Sequence, residues 1–139
     1  MEVPPQLRDI VAWSHTTLPN SAGTLTADGV VPKTVIIDTG ANYVMIGKRL
    51  AEQMEITDAD LFEGITYNTA EGDSHKSRGV TKRKVAIILR PGQADEAKVF
   101  LHVMVDNATT YDILLGPHWI HRIGGIINTR SGQFLYTPD

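Results

Sequence analysis

The 139-residue sequence contains no cysteine. That excludes disulfides, thiolate zinc sites and cysteine nucleophiles, and leaves the compartment open. A strong charge bias is also missing, since 13 Lys and Arg face 16 Asp and Glu for a formal net charge of −3. Such a balance gives no global reason to expect a polyanionic partner. No apolar run approaches the roughly 18–20 residues that span a bilayer. Met1-Glu2-Val3-Pro4-Pro5 has neither the basic start nor the apolar stretch of a secretory signal. A soluble protein in the cytoplasm, with no membrane partner, is expected. Repeats and low-complexity tracts are absent as well. What is present is average for globular chains, with 42% hydrophobic and 21% charged residues, enough to bury one core.

Residues 1–24 carry Pro4, Pro5 and Pro19 and read as an N-terminal arm or linker, with at most a short helix around residues 7–13. Residues 25–139 read as one domain. Val30–Ile37 is rich in β-branched residues and predicts a strand running into Asp38. Gly47–Met54 predicts a brief helix. Ile65–Thr69 and Gly79–Leu89 predict a hairpin around a polar tip, and Lys98–Val105 and Tyr111–Leu115 two further strands. Pro117 suits the first turn of a helix ended by Gly124-Gly125, and a last hairpin closes the chain. About seven short strands and two short helices indicate a mainly β domain, a closed barrel or sandwich.

The chemically informative feature is an apolar strand ending in Asp38-Thr39-Gly40-Ala41. An acidic residue at the end of a buried strand is costly unless something there uses or pairs it. The small residues behind it suit a tight turn that presents the carboxylate, with Gly40 allowing close approach. Alone, the tripeptide is more simply read as a strand followed by an Asx-type turn.

In context the sequence resembles the retropepsin family, the aspartic proteases of retroviruses, retrotransposons and their cellular relatives. Three blocks carry the resemblance, in the family's order. The first is Val35-Ile36-Ile37-Asp38-Thr39-Gly40-Ala41-Asn42 with Val44-Met45-Ile46. The second is the hairpin with Glu71, Gly72 and Asp73 near its tip, which looks like the family's flap. The third is Ile113-Leu114-Leu115-Gly116 with Pro117-His118-Trp119-Ile120, which looks like the loop and helix that brace the active-site turn. The resemblance implies Asp38 as catalytic carboxylate, Thr39, Gly40 and Ala41 as its supporting loop, and Ile113, Leu114, Leu115 and Gly116 as the brace. It further implies apolar subsites, with Ile46, Val80 and Ile113 among the candidates, and an extended peptide or polyprotein as substrate. No cofactor is implied.

Asp-Thr-Gly occurs once, whereas this chemistry needs two carboxylates sharing one proton. The resemblance therefore implies a homodimer, in which two copies of Asp38 meet on a two-fold axis. Asp112 precedes the bracing loop and is not expected to be the second carboxylate. A catalytically silent dimerisation or peptide-binding module on the same fold is the alternative. Nucleic-acid binding through His75, Lys76, Arg78, Lys82, Arg83 and Lys84 is disfavoured, because aromatic residues do not interleave them and such runs are usually a solvated face. His118 and His121 share a helix face without further ligands, so no metal site is expected. Trp119 reads as core.

Overall fold

The computed structural model describes residues 15–18, 25–38, 40–64, 66–68, 74–128, 130 and 133–137. Its strands are β1 (His15–Leu18), β2 (Leu25–Ala27), β3 (Val35–Asp38), β4 (Met45–Ile46), β5 (Thr66–Asn68), β6 (Ser74–Lys76), β7 (Gly79–Val80), β8 (Val85–Leu89), β9 (Ala97–Leu101), β10 (Met104–Val105), β11 (Ile113–Leu115), β12 (Ile126–Asn128) and β13 (Gln133–Leu135). Helices α1 (Lys48–Gln53) and α2 (Pro117–Arg122) punctuate them. The fold is mainly β.

A six-stranded mixed sheet has the order β1-β3-β11-β4-β10-β7, and a three-stranded antiparallel sheet the order β2-β8-β9. At the centre of the larger sheet β3 and β11 run parallel, and β4 lies antiparallel to β11. The expected barrel is not closed. Among the described residues no sheet joins its own ends, because β1 and β7 are edges, whereas closure needs every strand paired on both sides.

The reason lies in chain segments that change sheets. Each of two expected long strands is in fact two strands. Residues 79–89 supply β7 to the larger sheet and β8 to the smaller, while residues 97–105 supply β9 to the smaller and β10 to the larger. Thr81 stitches the shared corner. Its N–H donates to the Val103 carbonyl at 2.9 Å, its hydroxyl accepts the Val103 N–H at 3.1 Å, and its carbonyl lies 2.9 Å from His102 Nδ1. Corners of this kind end ladders and let two sheets enclose one core.

That core is built from Leu25, Val85, Ile87 and Leu101 on one side and Val35, Ile37, Ile46, Ile113 and Leu115 on the other. Trp119 on α2 is fully buried, as expected, and stacks on Phe134 of β13 with ring centroids 5.7 Å apart. The Tyr136 hydroxyl donates to the Asp95 carbonyl at 2.9 Å, tying the last hairpin to the β8–β9 turn.

Part of the N-terminal stretch is a sheet element. β1 lies antiparallel on β3, with His15 opposite Asp38 and Leu18 opposite Val35. The short helix expected around residues 7–13 falls outside the described residues.

Candidate active site

Burial alternates along β3. Val35 and Ile37 are buried, while Ile36 and Asp38 are half-buried on the opposite face. Strand parity thus turns the Asp38 carboxylate away from the core. The chain then folds back on it. The Gly40 N–H donates to Asp38 Oδ1 at 2.9 Å, and the Ala41 N–H donates to the Asp38 carbonyl at 3.3 Å. This is an Asx-type turn holding an accessible acid at a strand end. Gly40 is exposed and Ala41 half-buried; Thr39 lies outside the described residues.

β11 supports this turn from beside β3, with Ile113 opposite Val35, Leu114 opposite Ile36 and Leu115 opposite Ile37. At its end Gly116 meets the turn directly. A Cβ there would stand 2.6 Å from the Ala41 carbonyl oxygen and 3.0 Å from that of Tyr43. The fold therefore brings Asp38, Gly40 and Ala41 together with Ile113–Gly116. The expected flap residues Glu71, Gly72 and Asp73 lie outside the described residues. Around them β5 and β6 pair antiparallel, ending at Asn68 opposite Ser74.

Two of the expected subsite residues are corrected. Ile46 and Ile113 pair across β4 and β11, and both are fully buried in the core. A strand shows alternate residues to alternate faces, so their parity is that of Val35 and Ile37 rather than that of Asp38. The face that carries Asp38 instead presents a row across five strands. Ile36 is opposite Leu114, Leu114 opposite Met45, Met45 opposite Met104 and Met104 opposite Val80. Counting back two residues from Asp38 to Ile36 would have revealed the row's start.

Asp112 has a different role from Asp38. It is buried and accepts the Arg49 Nε–H on Oδ1 at 3.1 Å, Arg49 Nη2 on Oδ2, and the Lys33 N–H on Oδ2 at 2.6 Å. Burial alone would push its carboxyl up, but the Arg49 hydrogen bonds, the Lys33 N–H and the Arg49 charge outweigh it and hold the acid below the usual carboxylate range. A depressed folded-state value adds stability that is present above the unfolded value of about 3.9 and lost as pH falls through the folded one. Because the Arg49 side chain is 38% exposed, solvent screens the pair, and we expect it to contribute about 1–2 kcal/mol. Asp112→Asn should therefore lower the melting temperature at pH 7 and flatten the acid limb of its pH dependence below about pH 4. Calorimetry from pH 2 to 7 checks this; an acid limb as steep as wild type would contradict it.

His118 and His121 are exposed on α2, and no group of three or more His, Asp or Glu able to hold a metal occurs among the described residues. Nor is any helix among them long and apolar enough to cross a membrane.

The chain is similar to known proteins in sequence and in fold. The profile of the family described as "gag-polyprotein putative aspartyl protease" matches residues 24–122. The chain belongs to this retropepsin-like aspartyl protease family. The family match starts after β1, so the edge strand paired with the Asp38 strand lies upstream of it. Among solved structures, the retroviral protease-like domain of Ddi1 from Leishmania major is similar, with TM-score 0.56 and 15% identity, covering 88% of this chain and 82% of that one. A retropepsin-like aspartic protease from Rickettsia conorii gives TM-score 0.54 and 18% identity, covering 83% of this chain and 85% of that one. At such identities the likeness concerns the fold. A comparison with curated proteins finds no match.

Proposed function

We propose that this chain is one subunit of a homodimeric aspartic endopeptidase acting on an extended peptide or polyprotein. The observation that carries the reading is Asp38: a half-buried acid fixed by its own turn, in a sequence with a single Asp-Thr-Gly. Asp112 does not serve as its partner. It is engaged by Arg49 and Lys33, and its strand position opposite Thr34 is four residues from Asp38, about 13 Å at 3.3 Å per residue. A second copy of the chain is the economical source of the other carboxylate.

In that dimer the two Asp38 carboxyls share one proton. The ionised one takes a proton from a water, whose oxygen attacks the peptide carbonyl carbon. The protonated one gives its proton to the carbonyl oxygen, forming a tetrahedral diol. Collapse of the diol breaks the C–N bond as the nitrogen gains a proton, and releases an acid and an amine. The β5–β6 hairpin would act as the flap over an extended peptide and exclude water.

The row beside Asp38 supports a preference for apolar side chains. Ile36 and Leu114 are its half-buried members on β3 and β11, whereas Met45 and Met104 are buried. Digestion of a peptide library between pH 3 and 8 tests the reading. A bell-shaped rate profile on the acid side and cleavage next to apolar residues are expected. Leu114→Ala should shift the preference toward bulkier side chains by at least about tenfold, the lower end of what one methylene is worth in an apolar pocket. Binding of library peptides without any cleavage would favour the silent peptide-binding module instead.

A further inference from the structure

We infer that Asp112 and Arg49 are a positioning pair for Asp38, fixing the register of the three strands that carry the catalytic turn. The observation is their location. The Asp38 turn connects β3 to β4 across the end of β11, with Gly116 beneath it. At the opposite end of these three strands the chain meets at one residue. The Asp112 carboxylate takes the Lys33 N–H at 2.6 Å just ahead of β3, and the Arg49 guanidinium from α1 just after β4. Its main chain repeats the connection: the Asp112 N–H donates to the Thr34 carbonyl at 3.3 Å, and the Asp112 carbonyl accepts the Gly47 N–H at 2.8 Å.

Such a clamp answers a need of this sheet. Only three residue pairs join β3 to β11, and only two join β11 to β4. A slip of one residue in so short a ladder would send Asp38 toward the core and a buried isoleucine toward the substrate. A carboxylate gripped by the planar guanidinium fork and by a main-chain N–H beside β3 specifies one register, since both bonds are directional. Arg49 and Asp112 touch no reacting atom in this reading; they act through the turn.

The inference rests on the protease reading for its kinetic arm only. Hydrogen exchange of the Gly40 and Ala41 amides, both donated to Asp38, is measured at neutral pH in wild type, Asp112→Asn and Arg49→Lys, and compared with the β8 amides of the same protein. If the pair positions the turn, Gly40 and Ala41 exchange about tenfold faster relative to β8 in Asp112→Asn, and kcat falls about tenfold with KM within twofold. Arg49→Lys, which keeps the charge but loses the fork, restores only part of both. Exchange at Gly40 and Ala41 rising only in step with β8, while the protein stays folded, would overturn the inference and leave a plain stabilising ion pair. A wild type that cleaves nothing would sink the protease reading, and the exchange ratio alone would then decide this one.

Discussion

Asp38→Asn should reduce peptide-bond hydrolysis by at least about 10³-fold, the scale on which loss of an acid–base carboxylate falls in hydrolases. An amide can neither deprotonate water nor share a proton with its counterpart, so chemistry fails at its first step. Folding should survive. The Asn side-chain oxygen can still accept the Gly40 N–H that Asp38 Oδ1 accepts at 2.9 Å, and the site is half-buried rather than core. A melting temperature within about 3 °C of wild type is therefore expected, corresponding to less than about 1 kcal/mol. Turnover on the best library peptide and calorimetry on the same preparation check both halves. Activity retained in Asp38→Asn would remove Asp38 from the chemistry altogether.

The second large effect is expected where no functional group is touched. Gly116 has φ −85° and ψ −177°, an extended conformation open to any residue, so Gly116→Ala meets no backbone strain. Space is the problem. The added methyl would lie 2.6 Å from the Ala41 carbonyl oxygen and 3.0 Å from that of Tyr43. Both are main-chain atoms that cannot rotate aside, so the Asp38 turn must move. We expect a stability loss of about 1–3 kcal/mol, as for overpacking of a filled interior. A larger proportional loss is expected in kcat, roughly 10–100-fold, since a displacement near 1 Å of a catalytic group is that costly. Thermal unfolding and steady-state kinetics of Gly116→Ala measure the two. Unchanged kcat with the full stability loss would mean that the turn tolerates the shift.

Particular residues show how far the sequence could be read. The run Val35–Gly40 and the later Ile113–Gly116 are local patterns, and the parallel pairing that joins them in the fold is not written in either run alone. The corners at Thr81 and His102 were hidden because residues 79–89 and 97–105 are apolar enough to pass for unbroken strands. Pairing with different neighbours, rather than composition, divides each of them. Of the apolar row beside Asp38, the sequence offers Val80 as a subsite candidate, while Ile46 and Ile113 differ from the row by one residue of parity: Ile36, Leu114 and Met45 share the face of the acid. β1, with the sequence His15-Thr16-Thr17-Leu18, has too little alternation to announce a strand, and only its register on β3 reveals it. The Arg49–Asp112 pair joins residues 63 positions apart, a distance at which no local signal reports a contact.

The central claim is that the catalytic site consists of Asp38 from two chains. It is tested most directly by titrating a fixed total of protein from wild type to Asp38→Asn, after mixing conditions that let subunits exchange. If only a dimer of two intact chains cleaves, activity falls as the square of the wild-type fraction, so that an equal mixture retains about one quarter under random pairing. Activity that falls in simple proportion to the wild-type fraction, with exchange verified, would show that one chain cleaves alone and would contradict the account.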